Sequence, residues 1–479
     1  MRLRDPNPNP NPGNPYPTNP STTPNPNLFG TVIVAADKPF VQRRSLAAFI
    51  SLFLHNNDQV NANRKARFEK YLSSTEDLFV RPSTRPTWKA HMTHHQPMFG
   101  VLQGKYDDVE FELKTLRRIH NLDQILFVGG DGLSIMRVNW LISRDPIEYL
   151  EERPIILPVQ GEAPHGVFHI LHAGWRLYIR FLRACALHLT NQNPKGGINA
   201  QVRDEPTVSD LNNSLHFMNR VTKAACEYLT HLVRHGGPAI DDPDNWLNAA
   251  NANIDLAWVV HYLYDFAFLL LDFKNAVRAG DSKHLDLLWR EFILIGHAKT
   301  ANKTNYCPMA IMTIFRSFAM DPQLLQLYEN IRSIPMSMRE GSKVGWDMPC
   351  EWLNLAITQG VKYGLSEERI SKFVAGFALS DANNQLLREQ FLDRHQMRAT
   401  KMKSIDADSL KIKSFFMDKI GRDWATASRR NQESRLGITR GKKPWDEVKE
   451  AATAGGKDSI AEFVKETVRR YTLSFYTWG

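Results

Sequence analysis

The chain has 479 residues, 43% of them hydrophobic, and carries 60 Lys and Arg against 51 Asp and Glu, for a net charge of +9. This length and composition allow a large hydrophobic core and exclude a wholly disordered or fibrous chain. The four cysteines lie far apart without a Cys-x-x-Cys pair. They therefore indicate neither a disulfide framework nor a thiolate zinc site, and an intracellular location, the nucleus included, is expected.

Residues 1–28 consist largely of Pro-Asn repeats with almost no apolar side chains. Such a segment cannot bury enough surface to offset its ordering entropy, so disorder with a polyproline II bias is expected. The polar start also lacks the apolar region of a signal peptide, and none is expected.

A small α/β core is predicted over residues 29–170, because short apolar runs alternate there with amphipathic segments. The predicted strands are Thr31–Ala36, which ends at Asp37, then Phe99–Leu102, Ile125–Val128 and Pro154–Val159. The predicted helices are Arg44–Leu54, Asp107–Asn121 and Ser134–Leu141, and residues 56–95 are predicted to be irregular.

The segment after Ile125 is the most informative in the chain, because a buried strand runs directly into Gly129-Gly130-Asp131-Gly132. A carboxylate at the end of a strand is fixed by the backbone, and neighbouring glycines allow close approach of a ligand. Asp131 is thus a candidate catalytic or metal-binding residue. The alternative is an ordinary turn residue beside a glycine.

A helical body is predicted over residues 171–395, with spacing near 3.6 in each of its apolar segments. The apolar run Trp258–Phe273 contains His261, Asp265 and Asp272, so it is predicted to be a buried helix rather than a membrane span. The predicted helices are His165–Thr190, Val208–His235, Asn253–Ala279, His284–Ala298, Thr304–Ser317, Gln323–Ile334, Cys350–Tyr363 and Ser366–Leu379.

Residues 396–479 are predicted to form a basic helical tail, with 18 Lys and Arg against 11 Asp and Glu from Arg398 onward. A basic segment on a nearly neutral body indicates a polyanion partner, most simply DNA. The candidate phosphate contacts are Arg429, Arg430, Arg440, Lys442 and Lys443. The alternative is a solvated helical surface.

A second acidic motif begins at Asp347, which is suited to cap a helix that starts at Pro349. Glu351 and Asn354 lie three residues apart and therefore on one face of that helix. A Glu on a helix and an Asp on a strand can together hold two divalent metals for phosphodiester cleavage. The alternative is a cap followed by a polar helix face.

Three histidines, His165, His169 and His172, share one helix face if a helix starts at Pro164. Such a face resembles a zinc or iron site, although a histidine bonded to a core carboxylate explains it equally well. The Gly-rich turn lacks the lysine of a phosphate-binding loop and the spacing of a dinucleotide fingerprint, and Gly-x-Ser-x-Gly is absent.

These motifs together resemble the eukaryotic domain of unknown function 6589, a family common in fungi and marine invertebrates and often found near mobile elements. The family's Gly-Asp-Gln-Leu-Thr, with an arginine following, corresponds to residues 130–134 and Arg137, and its Gly-Asp-Phe-His corresponds to residues 166–169. Its Asn-Tyr corresponds to residues 305–306, and its acidic residue, Glu and Asn correspond to Asp347, Glu351 and Asn354.

The resemblance implies the layout of a transposase with a ribonuclease-H-like core, derived from a mobile element. It implies that Asp131 and Glu351, with Asp37, hold Mg²⁺, with His169 a further metal ligand. Val167 stands where the family has Asp, which removes one carboxylate and implies a catalytically degenerate copy. The alternative is a non-enzymatic helical protein that binds nucleic acid or protein. No membrane association is expected.

Overall fold

The structure is a computed structural model, and residues between 62 and 476 are described with gaps. The described ranges are 62–73, 106–120, 125–130, 132–151, 155–162, 208–235, 253–298, 306–335, 343–348, 402–422, 435–436 and 444–476, with single positions and short runs between 167 and 189. This part of the chain is mainly helical, as predicted, with two small sheets. The predictions for residues 1–28, Thr31–Ala36, Arg44–Leu54 and Phe99–Leu102 lie outside it.

The helices and strands are numbered here in chain order. Those of the first sheet region are α1 (Ala62–Ser73), α2 (Tyr106–His120), β1 (Ile125–Gly130), α3 (Gly132–Arg144) and β2 (Ile155–Gln160). The helical body contains α4 (Val208–His235), α5 (Ile254–Ala279), α6 (Ser282–His297), α7 (Tyr306–Ala319) and α8 (Pro322–Ile331), then the strands β3 (Ser333–Pro335) and β4 (Lys343–Gly345). The tail contains α9 (Met402–Lys419), α10 (Pro444–Thr453) and α11 (Ile460–Tyr476).

Strands β1 and β2 are parallel neighbours, with Ile125 opposite Ile155 and Gly130 opposite Gln160. Helix α3 connects them, as a parallel pair requires. All six residues of β2 are buried, which explains why its sequence is a continuous apolar run rather than an alternating one. The two strands predicted at these positions are confirmed.

The two faces of this sheet pack against different helices. Ile156 belongs to an apolar cluster with Val109 of α2 and Leu141 of α3. On the opposite face, Ile155, Leu157 and Val159 of β2 belong to an apolar cluster with Tyr328 of α8. The βαβ unit is therefore covered on both faces, as in α/β proteins.

Helix α7 covers the outer edge of β2. The Gln160 N–H donates to Thr313 Oγ1 at 2.8 Å, and Arg316 Nη1 lies 3.5 Å from the Pro158 carbonyl oxygen. Burial lowers the pKa of Arg316 to about 10. These side chains satisfy edge groups that would otherwise be open to pairing with another strand.

Helix α5 is the apolar centre of the body. Asn253 caps its start by accepting from the N–H groups of Asp255 and Leu256, and Gly280 ends it in the left-handed conformation at φ 73°. The helix is long and apolar enough to cross a membrane, but 83% of its most apolar 18-residue window is buried inside the protein. The residues Trp258–Phe273 lie within it, as the predicted buried helix requires.

The tail helices pack into the same apolar cluster as the body. Phe416 of α9 contacts Phe181 and Tyr228, while Val468 and Tyr471 of α11 are buried in the cluster that also holds Ile135 of α3. The apolar faces of α9 and α11 are therefore structural, and the charged side chains of Lys465 and Arg469 on α11 are exposed. The boundaries 29–170, 171–395 and 396–479 remain predictions.

Two predictions about local structure were wrong. Residues 62–73, within the segment predicted to be irregular, form α1, in which fully buried Phe68 and partly buried Leu72 are four residues apart in a polar sequence. Strands β3 and β4 pair as an antiparallel ribbon where only helices were expected. Strands of three residues are too short to produce a periodic pattern.

A buried ion cluster joins the end of β2 to the body. Glu162, two residues after β2, accepts from Arg332 Nε at 2.7 Å and from Trp289 Nε1 at 2.8 Å. Arg332 also donates to Asp286 at 2.5 Å. Burial acts to lower the pKa of Arg332, but Asp286 and Glu162 raise it well above its ordinary value. The backbone of the same arginine accepts a hydrogen bond from the Trp346 N–H at 3.4 Å.

Replacing Arg332 by Met should lower the free energy of unfolding by about 3–5 kcal/mol, because Glu162 would remain buried without its counter-ion. Urea denaturation followed by circular dichroism measures the change. The double variant Glu162→Gln with Arg332→Met should recover part of the loss, since no unpaired charge is left at Glu162.

The matched control is Arg469→Met, which breaks the exposed ion pair with Glu466 on α11. Its unfolding midpoint should stay at the wild-type value because exposed pairs contribute little. Equal losses from the two Arg→Met changes would contradict the structural role of Arg332.

Candidate functional site

The candidate site lies where the parallel strands β1 and β2 end. Gly129 and Gly130 close β1, and Gly161 follows β2. In a strand, alternate residues share a face, so Gly129 lies on the same face as Phe127, which packs in the cluster with Tyr328. The carboxyl ends of parallel strands are the usual position of a binding site in α/β proteins.

The space above Gly129 is filled by the indole ring of Trp346. A Cβ atom added at this glycine would overlap the ring carbons. The sequence predicted that these glycines allow close approach of a ligand, and in the structure the group that approaches Gly129 is the protein's own Trp346. The glycine is therefore required for packing between β1 and the segment after β4.

Gly132, the residue after Asp131 in sequence, packs against Tyr306. A Cβ atom added at Gly132, the first residue of α3, would lie 2.9 Å from the Tyr306 ring. Tyr306 is the first residue of α7 and is buried. Gly132 and Tyr306 belong to two of the motifs that carry the family resemblance, and they are in contact.

Asp347 brings a carboxylate to the end of β2. Its Oδ2 atom occupies the space that a Cβ at Gly161 would need. Gly161 follows Gln160, which is opposite Gly130, the residue before Asp131. Asp347 is partly buried, and the helical residue Met348 follows it. The helix predicted to start at Pro349 lies outside the described residues.

Most of the predicted site residues also lie outside the described part of the chain. They are Asp37, Asp131, Glu351, the histidines His165, His169 and His172, and the tail cations Arg429, Arg430, Arg440, Lys442 and Lys443. For Asp131, both sequence neighbours are described, and the contacts of Gly130 and Gly132 locate the strand end and helix start that flank it.

Val167, which replaces an aspartate of the resembling family, is fully buried in the largest apolar cluster. A carboxylate at this position would lose its hydration without an evident compensating partner among the apolar residues of the cluster. The valine is therefore a core residue here.

Within the described residues, no group of three or more His, Cys, Asp or Glu side chains is arranged to hold a metal ion. Burial raises the pKa of the thiols of Cys185 and Cys307, and raises that of Cys226 to about 12. These thiols stay protonated at neutral pH, which makes them poor nucleophiles.

Two buried histidines are bonded to carboxylates. His261 Nδ1 lies 2.8 Å from Asp265, which belongs to the π-helical turn Leu263–Ala267 within α5. His284 Nε2 lies 2.6 Å from Asp272. Both pairs join neighbouring turns or helices of the core. They account for all three polar residues of the apolar run, His261, Asp265 and Asp272, as core partners.

Sequence reasoning did not identify Trp346 and Tyr306 as residues that shape this site. The signal that could have found them is the cluster of glycines at a strand end, because each glycine predicts a bulky neighbour or a ligand in the space of its missing Cβ. Which residue fills that space depends on tertiary packing.

Neither the protein-family models nor the curated proteins nor the solved structures compared with this chain contain a match to it. The family resemblance therefore remains a prediction that rests on the motifs themselves.

Replacing Gly129 by Ala should destabilise the fold by about 1–3 kcal/mol, because the new methyl group must displace the Trp346 ring from a packed site. Thermal or urea unfolding measures the loss. The control is Gly455→Ala, where nothing lies within 4 Å of the added Cβ and φ is −102°, so little change is expected.

The double variant Gly129→Ala with Trp346→Ala tests the contact directly. Because removing the indole makes room for the methyl group, the two losses should be non-additive by about 0.5–3 kcal/mol. Strictly additive losses would rule out the contact between Gly129 and Trp346.

Proposed function

We propose that this protein is a DNA-binding protein of mobile-element origin, with a transposase-like, ribonuclease-H-type core that acts on phosphodiester bonds. Asp131 and Glu351 are the proposed catalytic carboxylates, with Asp37 as a third. Such a protein would act inside the cell, the nucleus included.

The observation that carries the proposal is that motifs far apart in sequence are in contact at the carboxyl ends of β1 and β2. Gly132 contacts Tyr306, Gly129 contacts Trp346, and Gly161 contacts Asp347. Gly132 follows Asp131, Gly129 lies two residues before it, and Gly161 follows the neighbouring strand. Trp346 and Asp347 precede Glu351 by five and four residues. This arrangement supports a shared site for Asp131 and Glu351 at the ends of β1 and β2.

The oxygen donors near this edge suit Mg²⁺, which prefers carboxylates and retains several waters. Asp131 and Glu351 would hold the ion, with His169 as a further ligand. The carboxylate of Asp347 lies at Gly161, which follows β2. When bound, the metal supplies an activated water or hydroxyl and stabilises the leaving oxygen.

Asp131→Asn and Glu351→Gln should each abolish Mg²⁺-dependent nicking of plasmid DNA while leaving DNA binding intact, because each removes a metal ligand but no phosphate contact. Agarose gels measure nicking, and fluorescence anisotropy measures binding. The matched control is Glu466→Gln, at an exposed position of α11, which should nick like the wild type.

Nicking that survives both substitutions would reject these residues as the catalytic pair. Binding without nicking by the wild type would favour the degenerate form of the proposal.

The basic tail is the proposed phosphate-binding surface. The apolar sides of α9 and α11 are buried in the core, and Lys465 and Arg469 of α11 are exposed, so the described part of this region presents positive charge to solvent. The proposed contacts are Arg429, Arg430, Arg440, Lys442 and Lys443.

A plot of the logarithm of the association constant for duplex DNA against the logarithm of the salt concentration should be a falling straight line. The double variant Lys442→Ala with Lys443→Ala should make its slope shallower by about 0.9 for each lost phosphate contact. Anisotropy titrations between low and physiological salt measure the slope. The double variant Lys65→Ala with Lys70→Ala, at two exposed positions of α1, is the charge-matched control and should leave the slope unchanged. A slope independent of salt would reject phosphate-driven binding.

The second candidate function is a non-enzymatic scaffold that binds nucleic acid or protein. It is favoured by one observation, the complete burial of Val167 in the apolar core. A site with one carboxylate fewer than the resembling family would hold a metal more weakly, and the fold would remain useful only for binding.

A further inference from the structure

A buried aspartate in the first turn of α5 binds the backbone of the basic tail. Asp255 is 4% exposed. Its Oδ2 atom accepts from the Arg435 N–H at 2.7 Å, and its Oδ1 atom accepts from the Leu436 N–H at 3.3 Å. Both oxygens of one carboxylate thus hold consecutive N–H groups of a turn. Hydrogen bonds to a charged acceptor are stronger than those between neutral groups, so this turn is fixed on the body.

The two residues of this turn differ in their environment. Leu436 is buried in the same apolar cluster as Leu256 of α5, which adds an apolar contact to the two hydrogen bonds. Arg435 is exposed, and within the described part of the chain its guanidinium has no carboxylate partner. An arginine that is held by its backbone and unpaired at its side chain keeps its donors for a partner in solution.

A second contact fixes the tail close to the first. The Tyr228 hydroxyl of α4 donates to the Gly421 carbonyl oxygen at 3.1 Å. Burial raises the pKa of Tyr228, and the charge of Asp255 adds to this effect, so the two side chains are close. The tail is therefore held at two neighbouring points of the body. Arg422, which follows Gly421, is also exposed.

The charge of this part of the tail favours an anionic partner. Residues 422–443 contain seven Lys and Arg against two Asp and Glu, which is +5 of the net charge of +9 and leaves +4 for the rest of the chain. The planar guanidinium of arginine matches the geometry of a phosphate and can bind two of its oxygens. Arg435 lies within this segment and has a defined position on the body.

We propose that Arg435 is a further phosphate contact for duplex DNA and that Asp255 is its positioning residue. The carboxylate holds the turn from the protein side, so the guanidinium faces solvent on an ordered backbone. Less conformational entropy is then lost when DNA binds. This inference rests on the proposed function and deepens it, because it adds a residue of known position to the phosphate-binding surface.

The contact is tested by the salt dependence of binding to a fluorescent DNA duplex. Arg435→Ala should make the slope of the logarithmic plot shallower by about 0.9, the value for one phosphate contact. Arg435→Lys keeps the charge and should keep the wild-type slope. Partial unfolding cannot imitate this result, because a loss of folded protein lowers the association constant by one factor at every salt concentration.

The matched control for this test is Arg278→Ala. Arg278 is exposed in the last turn of α5, roughly 35 Å along the helix from Asp255. The same change of charge at this end of the same helix should leave the slope at the wild-type value.

The positioning role is tested without DNA by Asp255→Asn. The amide has no charge, and its NH₂ group faces a donor, so the turn should detach more often from the body. Cleavage by trypsin after Arg435, located by mass spectrometry, should become faster by about tenfold or more. The control is Asp272→Asn, the same change at the buried pair with His284, which should leave this cleavage at the wild-type rate.

The two tests are joined by the double variant of Asp255→Asn with Arg435→Ala. Asp255→Asn should weaken DNA binding less in the Arg435→Ala protein than in the wild type, because both changes act on one contact. Arg435 is exposed, so Arg435→Ala alone still decides the contact if Asp255→Asn does not fold.

A wild-type slope for Arg435→Ala would overturn the contact and leave the proposed function standing on the other cations of the tail. Tryptic cleavage of Asp255→Asn at the wild-type rate would overturn the anchor. Faster cleavage with unchanged DNA affinity would overturn the positioning role. A wild-type protein that does not bind duplex DNA would reject the proposed function and the contact together.

Discussion

One arginine determines how the sheet meets the rest of the protein. The side chain of Arg332 binds Glu162 just beyond β2, and its backbone accepts the hydrogen bond from Trp346. The residue thus fixes both the end of a strand and the segment that packs over the neighbouring strand. A buried guanidinium tolerates only a narrow range of geometries, because leaving either charge unpaired costs several kcal/mol, on the order of 3–5. The position of the candidate site follows from that constraint.

The second constraint is steric, and it acts through the absence of side chains. Gly129, Gly132 and Gly161 provide the space taken by Trp346, Tyr306 and Asp347. Close packing leaves no room for even one extra methyl group at such places. The candidate site at the end of the parallel strand pair thus depends on packing contacts that hold distant segments together. The buried ion cluster of Arg332, Glu162 and Asp286 stabilises the same arrangement.

The sequence predicted the long elements well and the short ones poorly. Helix α4 has the predicted bounds. Strand β1 ends at a pair of glycines and β2 follows a proline, as the apolar runs in the sequence indicated. Burial imposes a recognisable sequence pattern on elements of six residues or more. The helix α1 and the ribbon of β3 and β4 were not predicted, since few of their residues face the core. The contact partners of Gly129 could not be predicted, because the sequence specifies a gap there and only the packed chain specifies what fills it.

The sheet is completed by residues that are synthesised much later than its strands. The hydrogen bond from Gln160 to Thr313 spans 153 residues, and the one from Arg332 to Glu162 spans 170. Contacts so distant in sequence slow folding, because the loop-closure entropy must be overcome before they form. On the ribosome, β2 would emerge with its edge uncovered until α7 follows, and with the apolar face that packs on α8 exposed until α8 follows. The nascent chain is therefore expected to depend on chaperones during this interval, when unpaired strand edges promote aggregation.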